Sequence, residues 1–259
     1  MPRKTWLVGA AALVLCFVVA CGSSESEEGT SQAEGWLVVQ EQHAALMALR
    51  DEAAAIRAEI DAGVEGDEDT GLSPEEALLQ VERRLAAKDK EIADSADEFS
   101  GGLVEFINEH AGYEGDELNE IQAAAIILKS AEDIELAREY VAKGGDYSRA
   151  LDILGNTVLA DPDNLELLQE VERLKSLRYM DEDRFGQVMI GMSEGEVRVL
   201  LGHVFHRNVR EYEEQDTLAW FYPKEEGAAA AVFFRESGDQ FKVYNMDFEA
   251  VKPALERVK

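Results

Sequence analysis

Two apolar seams of helical period, parted by a short acidic break, constrain this chain more than any other feature. In residues 36–60, Val39, Gln42, Leu46, Leu49, Ala53, Ile56 and Ile60 recur at alternating steps of three and four. That spacing lays them along one stripe of a helix. Residues 61–71 are acidic and glycine-containing and break the pattern. Ser73-Pro74-Glu75-Glu76 then reads as a helix start. Ser73 can cap, Pro74 suits the first helical position, and Glu76 completes a capping box with its charge at the positive helix end. The seam resumes through Leu78, Val81, Leu85, Lys88, Ile92 and Phe99. Two arms of about 40 Å at the usual helical rise, joined by a short loop, predict an antiparallel helical hairpin over residues 36–100. Asp67, Glu68 and Asp69 in the loop lack the glycine and third acidic ligand of an EF-hand pattern, so they read as a solvated turn.

Ahead of the hairpin, Arg3 and Lys4 precede an apolar run over residues 6–20, too short for a comfortable span and right for a secretory signal. Val18-Val19-Ala20-Cys21 ends that run with small residues before a cysteine. The arrangement resembles the lipobox of bacterial lipoproteins. The resemblance implies cleavage after residue 20, lipid attachment at Cys21 and anchoring of the protein to a membrane of the cell envelope. Gly22 stands where an inner-membrane retention aspartate would be, which implies the outer membrane, facing the periplasm, in a Gram-negative cell. Residues 22–35 are rich in Gly, Ser and Glu and predict a flexible tether of about 20 Å average span.

The chain carries 54 acidic against 25 basic residues, a net charge of −29. Such a surface repels nucleic-acid phosphates and anionic head groups, which excludes nucleic acid as an expected partner and leaves membrane affinity to the acyl chains. Both cysteines lie at the signal end, so the mature chain is expected to have no disulfide and no cysteine metal ligand.

Beyond the hairpin, Gly101-Gly102 predicts a break, followed by a short helix over 103–110, a loop over 111–115 and a helix from about residue 116 to 128. Leu118, Ile121, Ala125 and Leu128 share its face. Ile134, Ala137, Val141, Gly145-Asp146-Tyr147, Ala150-Leu151, Leu154 and Asp161-Pro162 then stand at spacings that resemble one tetratricopeptide repeat. Arg138 and Thr157 replace the family's usual glycine and alanine. The resemblance implies either a peptide-binding surface or a helical spacer. A further helix over 164–179, with Leu165, Leu168, Val171, Leu174 and Leu177 inward, is expected to cover the repeat.

After residue 181 aromatic residues become frequent. Ser193 and Glu196 form a second capping box, and Gly202 marks the helix stop. Three extended stretches follow, the first from Val209 through Tyr222, then 229–236 and 241–248, with a turn at Ser237-Gly238-Asp239. Met192-Ser193, Val197, Leu200-Leu201-Gly202, Trp220-Phe221-Tyr222 and Val232-Phe233-Phe234 together resemble the SmpA/OmlA (BamE-like) family, although Val204 stands where that family usually has proline. The resemblance implies two helices against a three-stranded antiparallel sheet. It also implies a lipoprotein accessory of outer-membrane protein assembly whose partner is a barrel-assembly component. The same fold serves peptide-binding modules and inhibitors of secreted hydrolases, a second functional expectation.

No nucleophile elbow, metalloprotease helix, phosphate loop or dinucleotide fingerprint occurs. His203 and His206, three apart, lack a third ligand at a recognisable spacing, and His43 and His110 read as packing or surface residues. The expectation is therefore a non-enzymatic protein without cofactor or metal. It is mainly α with a C-terminal α+β domain, divided as signal 1–20, lipidated tether 21–35, hairpin 36–100, tetratricopeptide-like segment 101–180 and α+β domain 181–259. Trp220, Tyr222, Phe233 and Phe234 are the candidates for a partner surface, because whichever of them lie on the face the helices leave open would be exposed.

Overall fold

The computed structural model describes residues 25–66, 72–111, 117–238 and 240–253. Cys21 and the Asp67, Glu68, Asp69 turn lie outside them. Helices α1 (Glu25–Asp61) and α2 (Pro74–Glu109) pair along the seams. Val39, Leu46, Ala53 and Ile56 of α1 are buried, as are Ala77, Val81, Phe99, Leu103 and Phe106 of α2. The capping box forms as expected, with the Glu76 amide donating to Ser73 Oγ at 3.3 Å and the Ser73 amide donating to Glu76 Oε2 at 3.0 Å.

Both ends of the hairpin extend beyond their sequence limits. Residues 25–35, assigned by composition to the tether, are the start of α1. Packing overrides composition there: a Cβ on Gly35 would stand 3.2 Å from the Phe106 ring, and Trp36 lies against the same ring at 5.7 Å. Nor does Gly101-Gly102 break α2. Gly102 lets α1 approach, since a Cβ on it would meet Gln42 Oε1 at 3.0 Å. Phe99, Leu103 and Phe106 continue one buried stripe across the pair, which outweighs the roughly 1 kcal/mol helix cost of each glycine.

Helix α3 (Glu120–Gly144) is one uninterrupted element where the sequence suggested two, and Leu118 precedes it in the open. Its first half, through Ala125 and its neighbours Ile121 and Leu128, closes the α1–α2 core. Its second half contributes Ile134, Ala137 and Val141 to a second core shared with α4 (Tyr147–Ala160) and α5 (Leu165–Arg178). Arg50 of α1 clamps Glu132 of α3 through two bonds of 2.9 and 2.8 Å, fixing the hairpin to the helices that follow. The positions that depart from the repeat pattern are polar ties. Thr157 Oγ1 donates to Asp133 at 2.6 Å, and Arg138 reaches Glu135, Glu166 and Glu170. In α5 the inward stripe is Leu167, Glu170, Val171 and Leu174, whereas Leu165 and Leu168 face outward. A charged residue inside the buried set hid the phase of this helix from its apolar period. Glu170 is held by Arg173 at 2.9 and 2.6 Å, which keeps its carboxyl below the ordinary range.

The C-terminal part places α6 (Glu182–Phe185) and α7 (Glu194–Leu201) on one face of a four-stranded antiparallel sheet in chain order. The strands are β1 (Val209–Tyr212), β2 (Thr217–Pro223), β3 (Ala229–Ser237) and β4 (Gln240–Val251). Three strands were expected. The first extended stretch divides because Glu213–Gln215 forms a 3-10 turn and Asp216 takes the left-handed conformation at φ 48°, folding β1 back on β2. Met180, Phe185, Val188, Val197 and Leu201 meet the inner face of the sheet.

This part docks on the helices through backbone. The Met180 amide donates to Pro223 O at 2.8 Å, and the His203 amide donates to the Tyr147 hydroxyl at 3.0 Å. Gly145, at φ 63°, presses against the Val204 carbonyl.

Candidate functional site

Strand alternation sorts the aromatic residues of the sheet. The β2–β3 register sets Leu218 opposite Phe234, Trp220 opposite Val232 and Tyr222 opposite Ala230, all on the helix-covered face. Trp220, Tyr222 and Phe234 are 2%, 3% and 0% exposed, with the Trp220 and Phe234 rings 4.7 Å apart. Three of the four aromatic candidates are therefore core and offer no partner surface. Their phase follows from the apolar α7 stripe, which needs large side chains beneath it.

Phe233 is the candidate that reaches the open face, joined there by Phe221 and Tyr244. Phe221 pairs with Ala231 and Phe233 with Ala219. Large and small side chains so alternate across the strands, and both alanines are fully covered. This also explains the run Ala228–Ala231, poor in strand propensity but fitted to large cross-strand neighbours. A register shift opposite Phe233 and Phe234 leaves Tyr244 as an extra residue of β4. Its ring lies 6.4 Å from Phe233, which lies 6.4 Å from Phe221, so a row of rings crosses three strands.

Arginine caps the row. The Arg235 guanidinium sits 4.3 Å above the Tyr244 ring. Arg210, opposite Ala219, and Lys242, opposite Arg235, share the open face by register. At one end Tyr179, Arg210, Tyr212, Phe221, Pro223 and Lys224 border a shallow groove of about 570 Å³. In a chain of net charge −29 this is an aromatic surface of mixed charge, since Glu226 borders the groove, Glu249 pairs with Lys224 at 2.5 Å and Asp247 stands opposite Ala231 on the same face. Aromatic rings beside arginine are what carries binding energy at protein interfaces, because they bury large area with few rotors.

A second cleft, of about 330 Å³, lies where the sheet domain meets the α3–α4 turn. Here Arg198 lies over Trp220 at 5.4 Å, and His206 Nδ1 is 3.4 Å from Gly144 O. Burial, assisted by Arg198, lowers the pKa of His203. Burial raises that of Glu194, which Arg198 partly offsets. His203 and His206 thus belong to a domain junction, and among the described residues no group of three or more His, Cys, Asp or Glu is placed to hold a metal ion. His43 packs on Phe99 at 5.3 Å and His110 on Phe106 at 4.7 Å.

Sequence reasoning missed Phe221 and Tyr244. Alternation with Trp220 could have put Phe221 outside, but the β4 irregularity that turns Tyr244 outward has no local signal. No protein-family model, curated protein or solved structure matches this chain. Among the described residues no helix is long and apolar enough to cross a membrane.

Proposed function

We propose that this protein is a lipid-anchored, non-enzymatic interaction module of the cell envelope, held by lipid at Cys21. Its uncovered sheet face docks a partner protein. The row Phe221–Phe233–Tyr244 with Arg235 carries this reading. The occupant is a protein surface with an apolar patch for the ring row and an acidic group placed to meet Arg235, the cation that lies over Tyr244. The family resemblance of the last domain makes a component of outer-membrane barrel assembly the leading partner. The α1–α2 hairpin serves as the arm that sets the distance between membrane and sheet.

A photo-crosslinking residue at Phe233 of the full-length lipoprotein in intact cells, followed by mass spectrometry, tests the reading. One envelope protein should be captured at Phe233 and lost on Arg235→Glu. Capture unchanged by Arg235→Glu would remove the sheet face from the function. Cys21→Ser should move the protein from the membrane to the soluble fraction, and continued tight membrane association would refute the lipid anchor.

A further inference from the structure

The cleft of about 330 Å³ between the sheet domain and the end of α3 is lined by opposite charges that are not paired with each other. Glu194 and Arg198 stand one turn apart on α7, in the order and spacing at which a glutamate and a basic residue pair on a helix. Among the described residues neither forms an ion pair, and the Arg198 guanidinium lies instead over the Trp220 ring at 5.4 Å. Burial raises the Glu194 carboxyl above its ordinary value, and Arg198 offsets only part of that rise. Glu211 of β1 adds a second carboxylate to the lining, also without an ion-pair partner among the described residues.

The other walls sort these charges. Ala142 to Gly145, where α3 ends, close one side. A helix ends with carbonyls that have no partner within it and with the negative end of its dipole, so this wall favours a cation. Lys143 does not cancel that preference, because its ammonium is paired with Glu139. Burial and Arg198 lower the pKa of His203, which keeps that ring uncharged near neutral pH. Arg198 is then the permanent cation of the lining that lacks a carboxylate partner. Val204, Val209 and Leu218 contribute apolar side chains.

The walls are held in place without a ligand. Gly145 presses against the Val204 carbonyl, and the His203 amide donates to the Tyr147 hydroxyl at 3.0 Å. A simple anion entering this cleft would meet two carboxylates and a helix C-terminus. A simple cation would meet an unpaired guanidinium.

We infer that this cleft binds a small zwitterion of amino-acid size, its carboxylate on Arg198 and its ammonium toward Glu194, Glu211 and the end of α3. A ligand carrying both charges satisfies both sets of groups at once, which neither ion alone does. Arginine suits the carboxylate end because its planar fork donates two parallel bonds. The volume is that of a small-molecule site, and domain junctions are where such sites concentrate. The inference is independent of the sheet-face reading.

The test is isothermal titration calorimetry on the full chain in phosphatidylcholine nanodiscs, with empty nanodiscs as the blank. Three probes share one carbon skeleton: L-leucine carries both charges, isocaproate lacks the ammonium, and isoamylamine lacks the carboxylate. L-leucine should bind saturably, and each control should bind more weakly by about tenfold or more. Arg198→Gln and Glu194→Gln should each weaken L-leucine by about tenfold or more. The two variants should also differ in a way that a folding defect would not produce. Arg198→Gln should lose the preference for L-leucine over isoamylamine, and Glu194→Gln the preference over isocaproate. Arg57→Gln, which removes an exposed arginine of the hairpin paired with Asp89, should leave L-leucine binding within about twofold. Phe233→Ala should retain it, separating this cleft from the sheet face. No saturable binding of L-leucine to the wild-type chain, equal binding of either control, or equal weakening by Arg57→Gln would each overturn the inference.

Discussion

Gly145→Ala separates a backbone preference from a domain contact in a single measurement. Gly145 ends α3 at φ 63°, ψ 24°, the left-handed conformation. Any residue with a Cβ adopts it at a cost of about 1–2 kcal/mol. A Cβ there would also stand 2.3 Å from the Val204 carbonyl oxygen and 2.7 Å from the Phe205 amide nitrogen. Both obstacles are backbone, so relief to van der Waals distance requires the 204–205 strand lead to retreat by about 1 Å. That shift strains the 3.0 Å bond from the His203 amide to the Tyr147 hydroxyl, whose loss leaves a half-buried donor worth about 1–3 kcal/mol. The sum is about 2–5 kcal/mol, of which the junction between helices and sheet domain supplies about 1–3. Gly63, at φ 87° beyond α1, has nothing within 4 Å of the position a methyl would take. Gly63→Ala therefore incurs the backbone part alone, about 1–2 kcal/mol. Urea denaturation followed by far-ultraviolet circular dichroism gives both values. Amide exchange at His203 should quicken in Gly145→Ala and stay unchanged in Gly63→Ala. If the two variants agree within about 0.5 kcal/mol, the Gly145–Val204 contact contributes nothing and the rigid junction is wrong.

Two further outcomes follow from burial and charge. Trp220→Ala should cost about 3–5 kcal/mol because it empties a covered core site, whereas Phe233→Ala on the open face should cost about 1 kcal/mol and still melt as a folded protein; equal losses in urea titration would contradict the assignment of faces. Glu170 has its carboxyl held low by Arg173, so its contribution is present above the ordinary glutamate value and lost as pH falls through the depressed value. The stability gap between wild type and Glu170→Gln should consequently be widest near neutral pH and close on acidification below about pH 4.5 in thermal melts. A gap independent of pH would show that the pair with Arg173 is not what Glu170 contributes.

The amino-acid sequence by itself determined what depends on neighbours along the chain. The two seams, the boxes at Ser73 and Ser193, the turn at Gly145 and the strand alternation of Leu218, Trp220 and Tyr222 are all local, with periods set by the backbone. Tertiary structure decided whatever required another element to be present. Gly101-Gly102 stays helical because α1 lies against Gly102, and Glu170 of α5 is met on the inward side by Arg138 of α3. The strand break at Asp216 appears when β1 finds β2, and the ring row forms because an extra residue in β4 carries Tyr244 to Phe233. The composition of the open face was readable in one dimension, but its position was not. Which side of a sheet meets solvent depends on which side the helices bury, and that is a property of packing between distant segments.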